Sequence, residues 1–165
     1  MARTHDVPAA SFAHLDRSSE IGMNVFSTRP SDRQLGIGLL VLRLALGAVF
    51  LVHGGQKLFI GGFGGTAGML AQMGIPAASI IGPVLAVVEP LAGAALVLGL
   101  LTHVAGLAVA IDMLGAILTF HRLHGFFVPI GIEFPMMLCA SGFALAMLGA
   151  GPFSIDEALS KRKVT

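Results

Sequence analysis

Three ionisable residues lie well away from the ends of long apolar segments of this sequence: Arg43, Glu89 and Asp112. A charge at the centre of a membrane costs about 2.5–3.5 kcal/mol on insertion scales, so such side chains face other protein segments and pair. At about 1.5 Å per helical residue, counted from one membrane surface, they lie at depths of about 12, 18 and 15 Å. One base and two acids at nearly one level predict a buried charge cluster in which the carboxylates share a proton. The cluster indicates either a structural ion-pair lock or a path for protons or substrate.

A second group of polar residues falls near the opposite ends of the same segments, and we call it the outer-face cluster. Its members are His53, Lys57, His121, Arg122, His124 and Glu133. Three histidines, two bases and one acid could bind an anion, the head group of a quinone or a metal ion. His121 and His124 have i, i+3 spacing, but two histidines at a membrane edge are too few ligands for a metal site. No metal is predicted.

The overall composition indicates which class of protein carries these clusters. Hydrophobic residues make up 55% of the 165 residues and charged residues only 12%, against roughly 45–50% and about 25% in soluble domains. The formal net charge of +1 provides no electrostatic surface for nucleic acid. A single cysteine excludes a disulfide scaffold. The sequence therefore predicts an integral membrane protein.

Four apolar runs must position the two clusters. They cover about residues 35–58, 77–101, 102–120 and 125–150. Each run is near or above the roughly 20 residues that cross a bilayer as a helix. None alternates apolar and polar residues as the strands of a membrane barrel do, and a soluble bundle is disfavoured because the runs are apolar all round. The predicted fold class is all-α, an integral membrane four-helix bundle over residues 35–150.

The charges at the two ends of the chain predict its topology. Residues 1–34 include Arg29 and Arg33 just before the first run, lack the apolar segment of a signal peptide and are predicted to form a disordered cytoplasmic tail. Residues 151–165 include the basic run 161–163 and are predicted to form a cytoplasmic helix or tail. An even number of spans returns the chain to one side, and basic residues favour the cytoplasm, so both termini are predicted to be cytoplasmic.

Several short motifs follow one another along the chain: LRLALGAVF at 42–50, HGGQKL at 53–58, GT at 65–66, GIP at 74–76, Glu89, and GPFSID at 151–156. Taken in this order, they resemble the motifs of the DoxX family, which includes the DoxX and DoxD-like four-helix membrane proteins. Together they extend over about residues 35–160. The resemblance implies a multi-pass protein of the bacterial inner membrane, and Arg43, Lys57 and Glu89 are the residues that match the family pattern.

The resemblance also implies a redox setting. Some DoxX-family members are linked to membrane oxidoreductase complexes with a sulfurtransferase and a superoxide dismutase, which handle thiol and oxidative stress. Relatives in the DoxD group belong to thiosulfate:quinone oxidoreductases. The sequence has no motif for haem, flavin or nucleotide, and a quinone is the one cofactor that the resemblance suggests.

Three functions are compatible with these observations. The first is a non-catalytic membrane subunit that anchors redox partners in the lipid bilayer, alone or as a homo-oligomer. The second is a quinone-linked oxidoreductase component in which Lys57 and Arg122 attract a small sulfur anion such as thiosulfate, while Glu89 and Asp112 handle protons. The third is a small-molecule transporter, because proline-kinked helices and charges in the membrane also suit transport. The absence of a haem, flavin or paired-cysteine motif counts against catalysis by this chain alone.

Overall fold

The computed structural model describes residues 29–162, and within this range every regular element is helical. The elements are α1 (Asp32–Gly55), a π-helical segment (Gln56–Gly61), α2 (Gly62–Gln72), α3 (Ala78–Leu98), α4 (Thr102–Thr119), a 3₁₀ turn (His121–His124), α5 (Glu133–Leu148) and α6 (Ile155–Arg162). The all-α prediction is confirmed for this part of the chain.

Within residues 29–162, three helical stretches are long and apolar enough to cross a membrane. They are the 41-residue stretch from α1 through α2, the 21 residues of α3 and the 18 residues of α4. Large apolar side chains such as Val52 and Ile80 are 61% and 68% exposed on their outer faces, as expected for side chains that meet lipid. α5 is apolar but has only 16 residues, fewer than the roughly 20 of a full span. The fourth span, the complete four-helix bundle and the cytoplasmic position of both termini stay predictions.

α1 begins where the sequence provides a cap. The Gln34 amide donates to the Ser31 hydroxyl at 3.3 Å, and the Ser31 amide donates to the Gln34 side chain at 2.9 Å. This capping box satisfies two amides that the first helical turn leaves without partners. The helix therefore starts at Asp32, inside the predicted tail of residues 1–34. Residues 1–28 of that tail lie outside the described residues.

Two pairs of helices pack through glycines. A Cβ on Gly47 of α1 would lie 2.8 Å from the carbonyl oxygen of Gly93 in α3, and the reverse distance is the same. Gly106 of α4 and Gly142 of α5 approach each other equally closely, at 2.7 and 2.8 Å. Small residues at such crossings let helix backbones come together within lipid. The buried apolar core between the helices consists of Leu39, Leu46, Phe50, Ala92, Leu96, Ala105, Val109 and Leu145.

The last long helix begins later than the sequence predicts. The fourth apolar run starts at about residue 125, whereas α5 starts at Glu133. The segment 125–132, which we call the connecting loop, is apolar, but Pro129 removes a backbone donor and so disfavours a helix. Its backbone polar groups bond locally instead, with the Gly131 amide donating to the Phe127 carbonyl at 2.9 Å. Apolar composition alone therefore overestimates the length of this helix.

Candidate functional site

An ion pair between Lys57 and Glu89 lies at the centre of the candidate site. The Lys57 ammonium contacts the Glu89 carboxylate, and the two side chains are 23% and 2% exposed. Lys57 belongs to the π-helical segment and Glu89 to α3. Charges this deeply buried require a partner, because an unpaired charge pays its full desolvation cost. The pair joins one residue of the predicted outer-face cluster to one of the predicted buried charge cluster.

The backbone around this pair departs from regular α-helix. Gly54 packs against Pro90, the residue after Glu89, so α1 and α3 are in direct backbone contact at this level. The helix then widens into the π-helical segment, and the Thr66 hydroxyl donates to the Lys57 carbonyl at 3.1 Å. Short π-helices occur frequently at functional sites, because they redirect the side chains that follow. Here the close approach and the π-helix together bring Lys57 to the carboxylate.

Asp112 adds a second carboxylate from α4. It interacts electrostatically with Glu89 and Lys57. Its Oδ2 atom is buried and has no hydrogen-bond partner among the described residues. Two carboxylates thus face one ammonium, so the group carries either a net negative charge or a shared proton. We call Lys57, Glu89 and Asp112 the triad.

Cavities surround the triad. The first, the Glu89 cavity, has a volume of about 320 Å³ and is lined by Val49, Phe50, His53, Lys57, Glu89, Met113, His121, Pro129, Phe134, Pro135 and Leu138. The second, the Asp112 cavity, also has about 320 Å³, shares Lys57, Met113 and His121 with the first, and is otherwise mainly apolar. A third of about 290 Å³ includes His53, Gln56 and Thr66. Lys57 lines all three cavities.

Two histidines of the outer-face cluster reach the Glu89 cavity. His53 lies one helical turn before Lys57 and lines the same wall. His121 lines both the Glu89 and the Asp112 cavities. The His121 Nδ1 atom lies 2.8 Å from the carbonyl oxygen of Ile130 in the connecting loop, and its ring stands edge-on to Phe120 at a centroid distance of 5.2 Å. The fold therefore brings these histidines together with the triad.

The other members of the outer-face cluster lie outside the linings of these cavities. Arg122 is exposed. His124 is also exposed, and its Nδ1 atom lies 2.9 Å from the Phe120 carbonyl oxygen. The Glu133 carboxylate accepts the Val128 amide at 2.6 Å. Glu133 thereby ties the connecting loop to the start of α5, so its contact with the site is indirect.

Arg43 does not join the two acids, which corrects the predicted buried charge cluster. Arg43 is 1% exposed, and its Nη2 donates to the Phe153 carbonyl at 2.7 Å. It packs beside Gly99, ten residues beyond Glu89 in the sequence and about 15 Å away along a helix. Counting depth from the ends of the apolar runs missed this separation because Gly54, and not Arg43, is the residue of α1 that lies opposite Glu89.

The carbonyl partner of Arg43 belongs to a C-terminal arm, residues 151–162, which contains α6. The Asp156 carboxylate of this arm accepts the amides of Leu101 and Thr102 at 2.8 and 2.9 Å, and so caps the start of α4. Burial acts to raise the pKa of Asp156, but the hydrogen bonds from these amides outweigh it and hold the pKa below its usual range. The arm is thus a structural closure at the end of the fold away from the triad.

Sequence reasoning missed the apolar and backbone parts of the site. Phe50 and Phe134 line the Glu89 cavity, and Ile130 contributes only its carbonyl group. Helical spacing places Phe50, seven residues before Lys57, on the same face of the first apolar run, but it does not reveal that Phe50 lines a cavity. No sequence signal marks Ile130. Within residues 29–162, no group of three or more His, Cys, Asp and Glu side chains is placed to hold a metal ion.

Comparison with known proteins gives a family match and two related bacterial proteins. The family model described as DoxX matches residues 38–122, which include the whole triad. The protein named Putative oxidoreductase CatD of Bacillus subtilis (strain 168) is 31% identical over 132 residues, 80% of this chain and 94% of that protein. The Uncharacterized membrane protein Rv3486 of Mycobacterium tuberculosis (strain ATCC 25618 / H37Rv) is 39% identical over 138 residues, 75% of this chain and 82% of that protein. No solved structure matches the chain. This chain belongs to the DoxX family of membrane proteins.

Proposed function

We propose that this protein is a membrane-embedded component of an oxidoreductase system and that its Glu89 cavity binds the head group of a quinone-type carrier. The observation that carries the proposal is the position of the triad. Glu89 and Lys57 line the Glu89 cavity, whose other walls are largely apolar, and Asp112 lines the neighbouring Asp112 cavity together with Lys57 and interacts with both residues. A quinone head group combines a flat apolar ring with oxygens that exchange protons, and it is complementary to both parts of this site.

The Glu89 cavity suits such a ring in size and lining. Its volume of about 320 Å³ is at the small end of ligand pockets, which begin at roughly 300 Å³. Phe50 and Phe134 provide aromatic walls, and Leu138 and Met113 provide aliphatic ones. A mainly apolar lining with a few convergent polar groups is the general form of a small-molecule site.

The triad suits proton exchange with the carrier. Reduction of a quinone takes up two electrons and two protons, and oxidation of the quinol releases them. In this proposal Glu89 and Asp112 take or give protons, and the Lys57 ammonium stabilises negative charge on a carrier oxygen. The electrons pass to or from a redox centre of a partner protein. The chain then acts as the membrane subunit of a complex in the bacterial inner membrane, which it crosses several times.

Binding of a carrier can be measured directly on the purified protein in nanodiscs. The chain contains no Trp and no Tyr, so the near-ultraviolet absorbance of decylubiquinol, kept reduced under nitrogen, can be followed by equilibrium dialysis. We expect saturable binding to the wild type and at least about tenfold weaker binding to Glu89→Gln, which loses a buried charged acceptor for a ligand hydroxyl. Leu138→Phe, which narrows the cavity without changing charge, should also weaken binding. Arg122→Gln, at an exposed position outside the cavities, is the matched control and should bind as the wild type does.

Two results of this experiment would refute the carrier site. One is absence of saturable binding to the wild type beyond partition into empty nanodiscs. The other is wild-type affinity in both Glu89→Gln and Leu138→Phe, with helical circular dichroism showing that the variants are folded.

A partner is tested separately. Gentle detergent purification from native membranes, followed by mass spectrometry, should recover a stoichiometric subunit with a redox function, such as the sulfurtransferase or superoxide dismutase that the family resemblance implies. Recovery of this chain alone would count against a subunit role and would leave carrier binding to be judged from the dialysis experiment.

A further inference from the structure

The connecting loop fixes the chemical character of His121. Because the Ile130 carbonyl oxygen can only accept a hydrogen bond, the His121 Nδ1 atom 2.8 Å away must carry the proton. In the neutral ring the Nε2 atom is then an acceptor. The ring lines both the Glu89 cavity and the Asp112 cavity, whereas Ile130 lines neither, so Nε2 is the ring nitrogen available to a ligand of this site.

The loop that holds His121 is itself anchored. Glu133 accepts the Val128 amide at 2.6 Å, and the Glu133 amide donates to the Phe126 carbonyl at 2.9 Å. Pro129 of the same loop lines the Glu89 cavity. The orientation of His121 is therefore set by a chain of contacts that runs from α5 through the loop to the ring.

The remaining polar groups of the cavity supply both acceptors and donors. The Glu89 carboxylate only accepts when it is ionised, a neutral His53 ring adds one donor and one acceptor, and the Lys57 ammonium directs one of its three N–H groups to the carboxylate. A ligand with two carbonyl oxygens would leave the His121 Nε2 atom unpaired in an apolar cavity, and an unpaired buried acceptor costs free energy. A ligand with hydroxyl groups would satisfy it.

We propose that the Glu89 cavity selects the dihydroxy, reduced form of its aromatic carrier over the quinone form, with His121 Nε2 accepting a hydrogen bond from a ligand hydroxyl. This inference rests on the proposed carrier site. It adds to that site the redox state of the carrier that binds and the residue that distinguishes the two redox states. His121 is then the residue that determines specificity, and Glu133 is a positioning residue that acts through the loop.

The test compares two ligands of the same ring size under nitrogen: 1,4-dihydroxynaphthalene and 1,4-naphthoquinone, each measured by dialysis against the full chain in nanodiscs and corrected for partition into empty nanodiscs. One hydrogen bond gained and one unpaired acceptor avoided predict a preference of about tenfold for the diol. His121→Phe should reduce the preference to less than about twofold by weakening diol binding. His124→Phe, in the same 3₁₀ turn but outside the cavity, should keep the wild-type preference.

Glu133 provides a second pair of variants in case His121→Phe does not fold. Glu133→Gln keeps an oxygen that can accept the Val128 amide and should keep the preference, whereas Glu133→Ala should reduce it. Equal binding of both ligands to the wild type, or an unchanged preference in folded His121→Phe or in Glu133→Ala, overturns the inference while the carrier site stands. No saturable binding of either ligand to the wild type overturns the inference and the proposed function together.

Discussion

Gly54 of α1, three residues before Lys57, is in direct contact with Pro90 of α3, the residue that follows Glu89. A Cβ on Gly54 would lie 2.9 Å from the Glu89 carbonyl carbon and closer still to the Pro90 ring. This contact sets the distance between the two helices at the level where their charged side chains meet. The geometry of the triad thus depends on a residue that has no side chain.

Substitution of Gly54 tests this dependence. Gly54→Ala should destabilise the protein by about 1–3 kcal/mol, because the added methyl group forces apart two packed backbones. Gly55→Ala is the matched control, since a Cβ there meets nothing within 4 Å and alanine favours the helix by up to about 1 kcal/mol. Thermal unfolding in detergent checks both. Equal melting temperatures for the two variants would contradict the packing argument.

The Lys57–Glu89 pair can be examined by a double-mutant cycle. Lys57→Met alone should destabilise the protein by about 3–5 kcal/mol, because it leaves a carboxylate buried without its partner. The double variant with Glu89→Leu should be more stable than Lys57→Met. The exposed pair Lys161–Glu157, whose side chains are 74% and 40% exposed, should contribute at most about 1 kcal/mol. Unfolding in mixed micelles measures the free energy of unfolding of the wild type, the single variants and the double variant of each pair. If the losses of stability from Lys57→Met and Glu89→Leu are strictly additive, the two residues do not interact.

The packing of Arg43 predicts a strong effect of a neighbouring glycine. Gly99 has a φ of +65°, and a Cβ there would overlap the Arg43 guanidinium and lie 2.6 Å from the Ser154 Cβ. Gly74, with a φ of +73°, has open space around it, so Gly74→Ala pays only the left-handed backbone cost of about 1–2 kcal/mol. Gly99→Ala should cost clearly more in thermal unfolding. Matching losses in the two variants would mean that backbone conformation alone requires glycine at Gly99.

The lowered pKa of Asp156 predicts acid sensitivity of the C-terminal arm. A carboxyl group whose pKa is depressed by folding stabilises the protein above its unfolded pKa of about 3.9, and this stabilisation is lost as the pH falls through the folded pKa. Asp156→Ala should lower stability at pH 7 by about 0.5–2 kcal/mol, the range of a lost helix cap. The difference from the wild type should shrink below about pH 4.

Melting temperatures of the two proteins from pH 7 to pH 3 check this sign. Glu157→Ala removes a neighbouring acid that does not cap α4 and serves as the control. A difference between Asp156→Ala and the wild type that stays constant over the whole range would contradict the role of the ionised cap.

The sequence was informative about elements because their signals are local. Long apolar runs predict membrane helices wherever they occur, and the Ser31 cap defines the start of α1 by its own hydrogen bonds. The same reasoning gave the wrong start for α5. The connecting loop is as apolar as a membrane helix, and only Pro129 and the glycines of the loop distinguish its sequence from that of a helix. The apolar composition of a segment indicates its preference for lipid but gives little information about the residue at which its helix begins.

Partner choice among the charged residues was not predictable from spacing. By helical spacing Arg43 and Lys57 fall on the same face of the first apolar run, and either could be opposite Glu89 in some register of the two helices. The contacts of Gly47 with Gly93 and of Gly54 with Pro90 select the register, and such contacts depend on tertiary packing. For this reason the membership of the predicted clusters changes: Lys57 contacts the Glu89 carboxylate, and Arg43 contacts the arm.

The contacts of the C-terminal arm have a consequence for the order of events during synthesis. The hydrogen bond from Arg43 to Phe153 joins residues 110 positions apart, and Asp156 reaches back 55 positions to Leu101. Chains emerge from the ribosome amino end first, at about 5–20 residues per second. All the long helices are therefore translated before Arg43 meets its carbonyl partner and α4 receives its cap. The arm, residues 151–162, therefore completes the assembly after the long helices, and a nascent chain halted at residue 150 would contain every long helix but would lack the arm's contacts with Arg43 and the start of α4.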